Sequence, residues 1–174
     1  MMKKLLIIFS CVTLLVALTS CGVIVKSKAN KYLTEDMGAI PPDFGKNAST
    51  ILFITHHDSY NRYMKRNVEK IYQGAYEFAT TEQYLSDERF QDIDKYRFVF
   101  DFNYIPRVAM GSVVETPLGP EQNTWIGKVK KFRILDRKEN KEYISKMTSG
   151  YWSKLQKVYL KKLNEKIQRE QVNP

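Results

Sequence analysis

The chain has 174 residues, 28 basic and 19 acidic side chains, and a net charge of +9. With two cysteines and two histidines in all, it has little material for thiol chemistry, CxxC redox centres or histidine-rich metal sites. The length suits one domain, and the sequence holds no internal repeat and no low-complexity tract.

Met1-Met2-Lys3-Lys4 is a short positive start, and Leu5 to Leu18 is an apolar run. Fourteen helical residues reach roughly 21 Å, short of the roughly 30 Å hydrocarbon core, so the segment reads as a cleaved export signal. Leu18-Thr19-Ser20-Cys21 follows directly, with small residues before the cysteine. This pattern resembles the lipobox of bacterial lipoproteins. The resemblance implies removal of residues 1–20 and acylation of Cys21, with several chains giving a stable anchor. Gly22 stands where Asp would signal inner-membrane retention, so the expectation is an outer-membrane lipoprotein facing the periplasm. Cys11 leaves with the signal and Cys21 is lipidated, which leaves no thiol or disulfide in the mature domain.

Residues 21–50 read as the lipidated N-terminus and a tether. Gly38, Pro41-Pro42 and Gly45 punctuate the stretch and no apolar period persists, although Tyr32, Leu33 and Phe44 offer local docking points. Residues 51–174 read as the domain. Ile51 to Thr55 is a branched apolar run, expected as a strand buried on both faces. His56-His57-Asp58-Ser59 follows, with Asp58 or Ser59 expected to cap a helix running to about Tyr72 and stopping at Gly74. Ala75 to Thr80 alternates as a second strand, completing a β-α-β unit. Thr81 to Asp94 suggests one or two short helical turns around Tyr84, Leu85 and Phe90.

Tyr96 to Tyr104 is the clearest strand: Tyr96, Phe98, Phe100, Phe102 and Tyr104 share one face, Arg97, Val99, Asp101 and Asn103 the other. Pro106 to Asn123 is rich in Pro and Gly and reads as a long irregular segment, with a short strand available at Val108 to Val114. Trp125 to Leu135 is a strand with a bulge expected at Lys130-Lys131, followed by a turn over Asp136 to Asn140 and a hairpin partner at Lys141 to Lys146. From Tyr151 to about Gln168, Trp152, Leu155, Tyr159, Leu160, Leu163 and Ile167 fall on one helical face with Lys154, Lys157 and Lys161 opposite. Packing on the sheet explains that helix, and lying on a membrane or partner is the sharper alternative. The expected fold is a single α+β (or α/β) domain with a four- or five-stranded sheet, helices on one face and an amphipathic C-terminal helix.

His56, His57 and Asp58 follow a buried strand, where α/β folds place ligands, but adjacent side chains there point to opposite sides. Asp87, Glu88, Asp92 and Asp94 lack calcium-loop spacing and read as a solvated face. Asp101 shares a face with Arg97, which invites an ion pair between them. No Gly-rich phosphate loop, HExxH or Gly-x-Ser-x-Gly occurs, so no catalytic, metal or cofactor residues are assigned. Trp125, beside the Gly/Pro-rich segment, is the candidate surface anchor.

Residues 22–123 hold 12 basic and 14 acidic side chains, whereas residues 124–174 hold 14 basic and 5 acidic. That cationic block suits anionic phospholipid or an acidic envelope partner, and equally a solvated surface; nucleic acid is not expected. The aromatic-rich body and Lys-rich tail are similar to those of small lipoproteins of Bacteroidota-type bacteria. The leading expectation is a lipid-anchored envelope protein with a non-enzymatic binding, adaptor or assembly role, held to the membrane through Cys21. The alternatives are a periplasmic enzyme using His57 with Asp58 or Asp101, or an anionic-lipid-binding module. The oligomeric state is left open.

Overall fold

The structure, a computed structural model, describes residues 26–109, 113–116, 119–122, 125–148 and 150–172, with residues 103–130 described by their backbone. The export signal and lipobox lie outside the described residues. In chain order the elements are β1 (Ile51–Thr55), α1 (Asp58–Ile71), β2 (Tyr76–Thr80), α2 (Thr81–Ser86), a 3-10 turn (Glu88–Gln91), β3 (Phe98–Ala109), β4 (Val113–Thr116), β5 (Gly119–Gln122), β6 (Trp125–Asp136), β7 (Lys141–Ile144) and α3 (Trp152–Val172). A helical segment at 26–32 precedes them.

Five strands form one mixed sheet in the order β2-β1-β3-β6-β7, and β4-β5 form a separate hairpin. β1 is parallel to both β2 and β3, while β3-β6 and β6-β7 are antiparallel. The central position of β1 explains its uninterrupted apolar run, since neither face meets water. Ile51 and Phe53 enter the main core, and Leu52 and Ile54 enter a second cluster on the other face. This is the expected small α+β domain with its C-terminal helix.

The main core lies under α1 and α3. Tyr60, Met64 and Val68 of α1 and Leu155, Tyr159, Leu160 and Leu163 of α3 cover Phe98, Phe100, Phe102, Phe132 and Ile134 of the sheet. Phe53 sits among the rings of Tyr72, Tyr76, Phe78 and Phe100 at centroid distances of 5.1 to 6.3 Å, tilted or edge-on as ring quadrupoles prefer. The opposite face carries a smaller cluster, in which Phe90 from the 3-10 turn and Tyr96 cover Leu52, Ile54, Ala79 and Val99.

Several expectations are corrected. Tyr96 does not join the aromatic face of Phe98, Phe100 and Phe102; it precedes the first strand residue, outside the two-residue period, and packs in the smaller cluster. Within the expected tether, Leu33 and Phe44 dock on the body as expected, and Ala29, Ala39 and Ile40 are core residues as well. The Tyr159 hydroxyl donates to the Ala39 carbonyl and ties this segment to α3. Gly45 permits the approach, with a φ of +89° and a Cβ position 2.9 Å from the Ile167 Cα.

α1 ends at an extended Tyr72 rather than at Gly74. There Asn164 of α3 donates to the Ile71 carbonyl at 2.6 Å and accepts from the Gln73 amide at 3.0 Å, so a neighbouring helix replaces the glycine stop. Within the segment Pro106 to Asn123, the described residues 106–109, 113–116 and 119–122 lie in the end of β3 and the β4-β5 hairpin. β3 and β6 pair without a bulge through Lys130 and Lys131, and from Asn103↔Lys131 to Ala109↔Trp125 no third strand flanks them among the described residues. They leave the sheet as a two-stranded ribbon about 20 Å long. The β6-β7 turn closes through Asn140 at a φ of 47°, a residue type that tolerates the left-handed region.

Candidate functional site

Ligands in α/β folds gather at the carboxyl ends of parallel strands, above all where successive connections leave on opposite faces. β1 has this property. Its exit to β2 runs through α1 on the main-core face, and the return from β2 to β3 runs past α2 and the 3-10 turn on the other. His56 and His57 lie at that exit.

His56 Nε2 donates to Asp101 Oδ1 at 2.6 Å. The same oxygen accepts from the Phe102 amide at 2.7 Å, and Oδ2 accepts from Arg133 Nη2 at 3.1 Å. Arg133 stands directly opposite Asp101 in the β3-β6 register and also bonds Glu142 on β7. A polar line therefore crosses the sheet from β7 through β6 and β3 to the end of β1. Beside it is a crevice of about 210 Å³, lined by Asp101, Arg133, Thr81, Tyr84, Leu85 and Leu135 among others. Three of roughly four lone-pair sites on Asp101 are taken. The carboxylate orients His56 and braces three strands.

His57 does different work. It is the N-cap of α1, with an extended backbone, and its Nδ1 accepts from the Tyr60 amide at 3.4 Å. The Ser59 hydroxyl donates to the same nitrogen at 2.9 Å. The expected caps, Asp58 and Ser59, are thus displaced by a residue whose ring nitrogen reaches the exposed amide from one position earlier. Asp58 lies in the first helical turn, where its charge complements the helix dipole. The Asp–His contact and the His–Ser contact fall on different histidines, so Asp101, His56 and Ser59 do not form a triad. The pairing of Asp101 with His57 is likewise not assembled.

The expected Arg97–Asp101 ion pair is also corrected. Asp101 is taken by its register partner Arg133, and Arg97, one residue before the β3 ladder, turns to the other end of β6. Its Nε and Nη2 donate to Asp136 at 2.9 and 2.8 Å, and Nη2 also donates to Asp43 at 2.9 Å. The Asp136 bonds, followed by those of Asp43, raise the Arg97 pKa against the cost of burial. Asp43 is held below the usual carboxylate range by Lys46 and then by Arg97.

In the acidic stretch, Asp87 caps the 3-10 turn and Asp92 accepts from the Asp94 and Lys95 amides, so these two are turn-forming residues. Among the described residues, no group of three or more His, Cys, Asp or Glu could hold a metal ion. The side chain of Trp125 and the whole of Cys21 lie outside what is described. Lys154, Lys157 and Lys161 are exposed on α3, where Lys26 and Lys162 join them around a groove of about 720 Å³. Sequence reasoning missed Arg133, Glu142 and Asp136 because strand register selects them. It missed Lys26 because that residue was placed in the tether.

No family model matches the chain, and comparison with curated proteins finds no match. Among solved structures, a candidate neuraminyllactose-binding hemagglutinin homolog from Helicobacter pylori aligns over 76% of this chain and 89% of its own, at 10% identity and a TM-score of 0.29. A likeness at that score carries no argument about what this chain folds into or does.

Proposed function

We propose that this chain is a lipid-anchored protein of the bacterial cell envelope whose α+β domain binds a partner and does not turn over a substrate. The observation that carries the reading is Leu18-Thr19-Ser20-Cys21, set directly after an apolar run too short to span a bilayer. Gly22 favours the outer membrane, with the domain in the periplasm. The binding role draws on two features of the domain. The histidines at the end of β1 are engaged in a strut and a helix cap. The β3-β6 ribbon extends past the described pairing of its neighbouring strands.

Intact-mass spectrometry of the full chain from a lipoprotein-processing Gram-negative host tests the anchor. The expected product begins at Cys21 and carries a diacylglycerol and an amide-linked acyl chain, and Cys21→Ser accumulates as unmodified precursor. A wild-type chain that still begins at Met1 without lipid overturns the proposal. Affinity capture from the native membrane, with Cys21→Ser as control, then identifies the partner.

A further inference from the structure

We infer that the exposed face of α3 and the helical segment at 26–32 form a cationic seat for anionic phospholipid in the bilayer that holds the anchor. The geometry rests on the proposed lipidation of Cys21, and the chemistry rests on the groove itself. Lys154, Lys157 and Lys161 repeat at intervals of three and four and so share one side of α3. Lys26 closes the groove from the N-terminal segment and Lys162 from the next position of α3. Glu165 is the one acid in the lining, and Lys162 holds it at 2.7 Å.

Like charges three or four residues apart repel along a helix. Elsewhere on α3 the fold answers a lysine with acids: Lys166 meets Glu35 at 2.7 Å and Glu170 at 2.6 Å. In the groove the repulsion stands, and an anionic surface relieves it. The lining holds lysines and no arginine, which suits point charges on flexible stems meeting a diffuse layer of phosphodiesters better than a fixed bidentate site. Position settles the occupant. Lys26 follows Cys21 by five residues, a reach of about 18 Å at full extension, so the groove begins beside the headgroups. That reach is an upper limit, and any less extended link brings these charges towards the roughly 8–10 Å over which an anionic leaflet attracts them. The groove then orients the domain, laying α3 along the membrane.

Full-length Cys21→Ser protein is sedimented with vesicles of phosphatidylcholine alone and with vesicles in which about one third is phosphatidylglycerol. Residues 5–18 contribute to both, and Lys3 and Lys4 add to the anionic increment of every variant, so the loss on substituting the three lysines reads the groove. Each basic residue at an anionic surface multiplies partitioning about five-fold, so the three lysines together account for about 100-fold, and Lys154→Glu/Lys157→Glu/Lys161→Glu, which reverses their charge, lowers the anionic increment by more than that. About 1 M salt abolishes the wild-type increment. A matching Lys→Gln triple, with an intermediate loss and an unchanged melting temperature, keeps the result independent of folding damage. An increment that either folded triple leaves undiminished overturns the inference. So does equal partitioning of the wild type into both vesicles, and if the protein then binds soluble polyglutamate through the same lysines, the partner is an acidic macromolecule. Because the assay uses Cys21→Ser, failure of lipidation is read separately, from the wild-type mass.

Discussion

Arg97 places a guanidinium where 8% of the side chain reaches solvent, and Asp136, 1% exposed, meets it with both carboxylate oxygens. Removing one partner of such a pair costs about 3–5 kcal/mol, and without Asp136 the buried guanidinium keeps only the half-exposed Asp43 as its answering charge. Asp136→Ala is therefore expected to lose that much stability in urea denaturation. Asp136 also accepts from the Lys138 and Glu139 amides, so the β6-β7 turn loosens as well. Asp43, on the same guanidinium, is 42% exposed, and water screens it to below about 1 kcal/mol. Its pKa is lowered on folding by Lys46 and Arg97, so its contribution is full above the unfolded value of about 3.9 and is lost as pH falls through the lower folded value. Asp43→Asn should leave stability near pH 7 almost unchanged and flatten the loss below about pH 4. Superimposable acid melting curves for the two proteins would contradict this assignment.

At the scale of elements, α1 is held at both ends by side chains that do not appear in the usual capping pattern. His57 accepts at the start, and Asn164 reaches across from α3 at the finish. Loss of an N-cap acceptor costs about 1 kcal/mol, so His57→Ala should lower the thermal midpoint by a few degrees. His57→Ser, which supplies a preferred acceptor at the same position, should restore it. If neither variant moves the midpoint, the cap is not contributing. The same pair bears on function: when His57 serves α1 alone, both variants keep whatever partner binding the wild type has.

At the scale of the whole molecule, the domain is larger than its regular strands and helices. Leu33 and Phe44 are core residues at 0% and 3% exposure, with the Phe44 ring 5.0 Å from that of Phe98 in the sheet, and Ile40 is 2% exposed. Deleting even one buried aliphatic side chain typically costs 2–5 kcal/mol against a total stability of about 5–15 kcal/mol. A chain trimmed to residues 51–174 should therefore lack a cooperative melting transition, while one beginning at residue 26 keeps it. Circular dichroism melts of the two distinguish these outcomes. A cooperative transition in the shorter chain would show that residues 26–50 only dress a core complete without them. The packed start of the domain also keeps Lys26 against α3, which matters for the membrane seat.

Much of this fold was legible because local periodicity is written into side-chain order. The five-residue apolar run of β1, the alternation of Phe98, Phe100 and Phe102, and the three- and four-residue spacing along α3 each report a face that must be buried. The separation of basic from acidic residues along the chain was legible too, and with it the candidate anchor at Cys21. Pairing was not. Nothing in the neighbourhood of Asp101 distinguishes Arg97 from Arg133; the β3-β6 register does, by setting Arg133 directly across from it. Nothing near His57 marks it as a cap ahead of Asp58 and Ser59, since the choice depends on the backbone angle at which β1 enters α1. The aperiodic stretch from 29 to 44 offered docking points at Leu33 and Phe44 but no sign that Ala29, Ala39 and Ile40 are buried too, because it fills space between other elements without forming a face of its own. By itself the sequence determined most of the strands and helices and where its charges run, but not the helical segment at 26–32 or the β4-β5 hairpin. Only the tertiary structure decided which charges meet and which residues close the core, because those depend on distances between segments far apart in the chain.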